Sequence, residues 1–266
     1  MIRPPRPATA DVPWRWAAAG AVLGLVLVLV LAAPARWLAA VVAQASGGRV
    51  LLAEPAGRVW AGSARLVLTG GEGSRDRAAL PGRLRWRLSP GLGALAITVF
   101  ADCCTPPDAP LRLRLSARWD GAALTLADGL SHWPAAVLAG LGTPFNTIEP
   151  EGELNLATQG LGAQWQAGRL QLAGSATLTA RQLSSRLSTL RPMGSYQLVL
   201  QGGPDIGVTL STLEGRLQLS GSGHWVGTRL RFQGEARAAP GLQAQLANLL
   251  NILGRREGDR AVLSIG

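Results

Sequence analysis

The sequence predicts a mainly β fold: one N-terminal transmembrane helix, then antiparallel meander sheets, curved or groove-forming, with two short helices. Three observations carry this. An uncharged apolar run lies near the N-terminus, apolar and polar residues alternate through most of the remaining chain, and a Trp-then-Gly cue recurs four times.

No charged residue stands between Arg15 and Arg36. The stretch from Trp16 to Ala35 has about the 20 residues a helix needs to cross a bilayer. Trp14, Trp16 and Trp37 flank it together with Arg15 and Arg36, as anchors at the membrane interface. Arg3, Arg6 and Arg15 outweigh Asp11 before the run, which keeps that end in the cytoplasm and sends the bulk of the chain outside. Ala33-Pro34-Ala35 resembles a signal-peptide cleavage site. The length of the run favours a retained anchor, and both readings export the domain. The expected organisation is a tail over 1–15, a membrane helix over 16–35 and a periplasmic β domain over 36–266. Two sub-domains, about 49–150 and 151–266, are an option within it.

The cue appears as Trp60-Ala61-Gly62, Trp119-Asp120-Gly121, Trp165-Gln166-Ala167-Gly168 and Trp225-Val226-Gly227. Each precedes an alternating segment, such as Leu66-Val67-Leu68 or Leu124-Thr125-Leu126. The expected element is a hairpin whose Gly supplies positive φ, most plainly at Asp120-Gly121. Leu84 to Leu88, Leu111 to Leu115 and Leu217 to Leu219 alternate as strands that lead into the turns. A Trp at a strand end covers apolar surface and donates its indole N–H; a Trp-lined sugar or lipid site is the functional alternative. Helices are expected over Pro134 to Leu141, ending at Gly142, and over Leu242 to Leu253, ending at Gly254. Arg260 to Ile265 reads as a last strand.

Charge and chemistry narrow the function. Net charge is +10, and every basic residue is Arg. Arginines alternate with leucines in Leu111 to Leu115, on the wet face of a strand rather than in a block. No nucleic-acid partner is expected; a basic face against anionic inner-membrane lipids or an acidic protein is the functional reading left. Cys103 and Cys104 are adjacent, before Thr105-Pro106-Pro107-Asp108. They are either a disulfide between neighbours, which an oxidising compartment permits, or two thiols in a Pro-rich loop. Without a CxxC pair or a His/Cys cluster, no metal or other cofactor is expected. His132 reads as a helix-entry residue and His224 as a turn residue; Glu149, Glu151 and Glu153 read as solvated acids in a Pro/Gly turn, and Asp128, Asp205 and Asp259 as turn residues. No catalytic motif is present, so neither a catalytic residue nor a small-molecule substrate is expected.

Several segments together resemble the protein N family of the type II (general) secretion system. They are Gly57-Arg58-Val59-Trp60-Ala61-Gly62-Ser63-Ala64 after the anchor, Leu84-Arg85-Trp86-Arg87-Leu88-Ser89-Pro90, the block Leu138 to Gly152, and Leu190-Arg191-Pro192-Met193-Gly194-Ser195-Tyr196-Gln197-Leu198. Met193 stands where the family usually has Leu, a volume-conserving change. The Cys103-Cys104 loop has no counterpart. The resemblance implies a bitopic inner-membrane subunit that helps export folded proteins across the outer membrane. It implies contacts with other secretion subunits, the inner-membrane platform and the secretin among them, and no enzymatic residues. A periplasmic lipid-handling protein with an apolar groove is the alternative function.

Overall fold

The computed structural model describes residues 14–166, 169–227 and 229–266. Most of the expected 1–15 tail and the Ala167-Gly168 part of the third cue therefore lie outside the described residues.

Helix α1, Trp14–Leu31, carries the apolar run, and none of its residues is buried. At 1.5 Å per residue it is about 27 Å long, within reach of a bilayer core about 30 Å thick. It stops four residues short of the expected boundary at Ala35. Pro34 explains this: it has no N–H to give to Val30 and its ring pushes Ala33 out of the helical region. A second helix, α2 (Ala35–Ala45), then starts directly behind Pro34.

The rest is one antiparallel sheet. Its first half holds β1 (Val50–Gly57), β2 (Ala61–Thr69), β3 (Arg77–Ala79), β4 (Leu84–Gly91), β5 (Ala94–Ala101), β6 (Leu111–Arg118), β7 (Gly121–Leu126) and β8 (Gly129–Pro134). A 3-10 helix (Ala135–Leu141) and the single turn α3 (Phe145–Ile148) follow. The second half holds β9 (Pro150–Gln166), β10 (Arg169–Ser185), β11 (Gly194–Gly203), β12 (Gly207–Gly215), β13 (Leu217–Val226), β14 (Arg229–Ala238), helix α4 (Gln243–Leu253), β15 (Arg255–Glu257) and β16 (Arg260–Ile265). Neighbours in sequence are neighbours in the sheet, except that β3 flanks β2, β8 flanks β9 and β16 lies inside β15. The meander is therefore unbroken, and its ladder continues across the boundary expected near residue 150. Strand β9 does this by pairing its first part with β8 and its last part with β7. Gly160 and Gly174 both have positive φ in the long β9–β10 hairpin. A Cβ on Gly174 would come within 2.2 Å of the Gly160 carbonyl oxygen, so the register shifts here between two bare backbones.

Alternation sorts the faces as expected. Arg85, Arg87, Arg112 and Arg114 are exposed while Trp86 on the other side of β4 is buried. Three clusters cover the apolar side. Ala35 and Leu38 of α2 pack on Ala64, Trp86 and Leu88. Val137 packs on Leu80, Ala101 and Cys104. Leu246, Leu249 and Leu250 of α4 pack with Tyr196, Leu217, Ala236 and Ala261. Trp133 touches the second and third clusters and joins them.

The helices over Ala135–Leu141 and Gln243–Leu253 and the final strand fall where the sequence put them. The hairpin cue needs correction. Gly227 has positive φ and makes its turn, but neither Gly62 nor Gly121 does. Gly121 is the first residue of β7, paired with Arg118 across a two-residue Trp119-Asp120 loop. Gly62 lies inside β2, where a Cβ would sit 2.6 Å from the Trp86 ring. At both places Gly is there for close approach, not for a turn. The histidines are strand residues: His132 in β8 and His224 in β13.

Candidate functional site

The most specific local construction is the joint between α1 and the sheet. Pro34 leaves the Val30 carbonyl without its helical partner. The Trp60 indole, from the turn between β1 and β2, donates to that carbonyl at 2.8 Å. The Val59 N–H donates to Ala33 O at 2.8 Å, and Pro34 bridges Arg58. Beneath, the Trp86 indole donates to Val59 O at 2.9 Å, and its ring occupies the space that Gly62 leaves. Gly57 has φ of 90°, which allows the turn. The Gly57 to Ala64 segment thus ties an apolar helix to a sheet edge through the Val30 and Ala33 carbonyls at the helix's end. Sequence reasoning saw its residues as a hairpin cue and missed this role; Pro34 directly after the apolar run was the available signal.

The expected interface anchors divide between two helices. Trp14, Arg15 and Trp16 form the first turn of α1 and are exposed; Arg36 and Trp37 are exposed in the first turn of α2. The sulfurs of Cys103 and Cys104 are bonded to each other. Cys104 is buried against Leu80, Ala101 and Val137, and its carbonyl accepts from the His132 N–H at 2.9 Å. The pair sits at the start of the β5–β6 connection, where the Cys104 N–H donates to Ala101 O at 2.9 Å.

The acids do not form a reactive group. Glu151 and Glu153 open strand β9 rather than a turn. Glu149, half-buried, pairs with Arg186 at 2.6 Å, and Glu151 with Arg191 at 3.3 Å, the other three being exposed. His132 Nδ1 bonds Asn155 Oδ1 at the surface, and His224 is exposed on its strand. Among the described residues neither histidine shares a hydrogen bond with a Ser or an Asp, and no three His, Cys, Asp or Glu side chains gather as metal ligands. Among the described residues the one strongly perturbed group is Tyr196. Burial raises its phenol above the ordinary value, and its hydroxyl donates to Leu217 O at 3.0 Å. That bond fastens β11 to the start of β13, a structural task.

Residues of the resembling segments take packing roles elsewhere in the sheet as well. Gly140 puts the 3-10 helix on β2, where a Cβ would meet Leu68 O at 2.4 Å. Asn146 donates to Asp76 at 3.1 Å across that contact. The Met193 carbonyl accepts from the N–H groups of Arg216 and Leu217. No curated protein and no solved structure matches the chain. One family model does match, over residues 48–263, which begins just before β1 and takes in nearly the whole sheet. With its sheet matched almost end to end, the chain belongs to the family described as type II secretion system (T2SS), protein N.

Proposed function

We propose that this chain is a non-enzymatic, single-pass inner-membrane subunit of the type II secretion apparatus. Its N-terminus lies in the cytoplasm and its sheet in the periplasm. It contributes to the export of folded proteins across the outer membrane by contact with platform subunits and the secretin. Family membership supports the secretion role. The observation that carries the membrane reading is α1: 18 residues of which Arg15 alone is charged, none buried, fastened to the sheet at its C-terminal end.

The sheet edges favour contact through hairpin ends over strand addition. On the β1 edge the ladder shifts between Ala53 and Ala56, with Glu54 at positive φ and Pro55 beside it. On the other edge β15 has three residues, Arg255–Glu257. Bulges, Pro and short charged strands all discourage edge pairing. Deleting the gene should impair secretion of outer-membrane-crossing substrates, and the tagged chain should co-purify with platform subunits. Normal secretion with no apparatus subunit retained would overturn the proposal. A reporter fused after Ile265 tests the topology separately, and activity on the cytoplasmic side would refute it.

A further inference from the structure

We infer that the hairpin tips nearest the anchor are a second membrane contact: Leu92 and Trp119 rest on the anionic headgroup interface of the bilayer that α1 enters. This rests on the single-pass reading above.

Topology places the tips there. The end of α1 is fastened to the turn between β1 and β2. In an unbroken antiparallel meander, alternate turns share one end of the sheet. The β4–β5 and β6–β7 turns therefore lie at the anchor's end, about 10 and 19 Å along from it at the usual strand spacing.

Turn apices ordinarily carry Gly, Asn, Asp or Ser. Here Leu92 and Trp119 stand at the apices fully exposed. A lone exposed apolar residue needs no explanation. Their recurrence at one end, beside an apolar helix, does, and Trp is the residue that favours a bilayer interface.

Charge agrees. Arg36, Arg58 and Arg169 are exposed at this end and in no ion pair with a described residue. Most ion pairs gather at the opposite end, as in Arg85–Asp102, Arg186–Glu149, Arg191–Glu151 and Arg237–Glu235. Each unpaired Arg near an anionic surface adds attraction.

Register also fits. Gly91 lies four residues past Arg87, the partner of Ala61, and Arg118 lies two past Ser116, which pairs with Ala94 beside Gly91. The rim thus advances about 13 Å at Leu92 and about 20 Å at Trp119. Over the lateral distances above, strands leaning about 45° from the bilayer normal would level it. That lean matches the tilt of barrel strands, roughly 35–45°.

The test places a photo-reactive benzophenone side chain at Val26, Leu92, Trp119 or Asp108, one at a time, in the full chain. Asp108 sits at the opposite end, a strand length or about 26 Å away. The chain is held in nanodiscs of phosphatidylethanolamine with phosphatidylglycerol. Lipid adducts are expected at Val26, Leu92 and Trp119, with roughly ten-fold less at Asp108. Exchanging phosphatidylglycerol for phosphatidylcholine should lower the yield at Leu92 and Trp119 several-fold and leave Val26 unchanged. Adducts at Val26, with Leu92 and Trp119 at the Asp108 level, would overturn this inference and spare the single-pass reading. No adduct at Val26 would instead remove the single-pass reading itself. Protein adducts at Leu92 or Trp119 in cells, in place of lipid ones, would assign the tips to a partner subunit and overturn the inference.

Discussion

The two ends of the sheet bury their apolar faces differently. At the C-terminal end, α4 sinks Leu246, Leu249 and Leu250 completely, against Tyr196, Leu217, Ala236 and Ala261. At the N-terminal end, α2 offers small Ala35 and half-buried Leu38, and the deepest large side chain there, Trp86, comes from the sheet itself. Between them Leu115 and Leu124 remain more than a third exposed. The C-terminal end is a core built from aliphatic volume. The N-terminal end is a joint, in which two indole N–H groups satisfy carbonyls at 2.8 and 2.9 Å and hold an apolar helix to a sheet. A core tolerates change by repacking; a joint depends on particular bonds.

The largest expected effect tests the joint. Trp86→Ala should cost about 3–5 kcal/mol, the usual loss for a buried aromatic. Hydrogen exchange should rise across β1 and β2 first, and protection there that matches wild type would contradict the joint. Leu250→Ala should cost about 2–5 kcal/mol in urea unfolding of the detergent-held chain, with exchange rising in β14 and β16. The same truncation at Leu115 should cost well under half as much, since that side chain already meets solvent. Equal costs would erase the contrast between the covered end and the open middle.

Tyr196 sharpens the comparison through pH. It is the single Tyr of the chain, so tyrosinate absorbance reports it alone. Burial disfavours the phenolate, so the folded pKa lies above the ordinary value near 10. Its contribution is full below pH about 10 and is lost as pH climbs from there towards the folded value. In the folded chain no tyrosinate should form around pH 10 to 11, whereas the denatured chain should be half ionised near pH 10. Ionisation of the folded chain near pH 10 would show that the β11–β13 bond is not buried. Trp60→Phe keeps the ring and removes the donor to Val30; about 0.5–1.5 kcal/mol should be lost at the α1 end only. Smallest is Arg186→Ala, which breaks an exposed pair with Glu149 and should cost at most about 1 kcal/mol, less in high salt.

Much of the architecture was legible from residue order. Period-two stretches such as Leu111 to Leu115 became strands with arginines outward, and Leu242 to Leu253 gave the helix that fills the core. The cue glycines were misread because a turn and a close approach both select Gly. Asp120-Gly121 has the composition of a tight turn, yet the loop lies one residue earlier, at Trp119-Asp120. Gly62 is required by a ring 24 positions away, which no local pattern reveals. His132 was read from its following Pro134 as a helix entry; the sheet claims it because β9 offers Asn155 and a free ladder position opposite.

What the amino-acid order determined by itself is periodic and local: the uncharged apolar run, the alternating strands, and helices that end at Gly142 and Gly254. These follow from side-chain hydrophobicity and backbone preference, which act within a few residues. The tertiary structure alone decided that the described strands share one sheet, that Trp60 meets the Val30 carbonyl at the Pro34 break, and which turns gather beside α1. Those outcomes depend on pairing between distant segments, where an orphaned donor or acceptor finds its partner only once the chain has closed on itself.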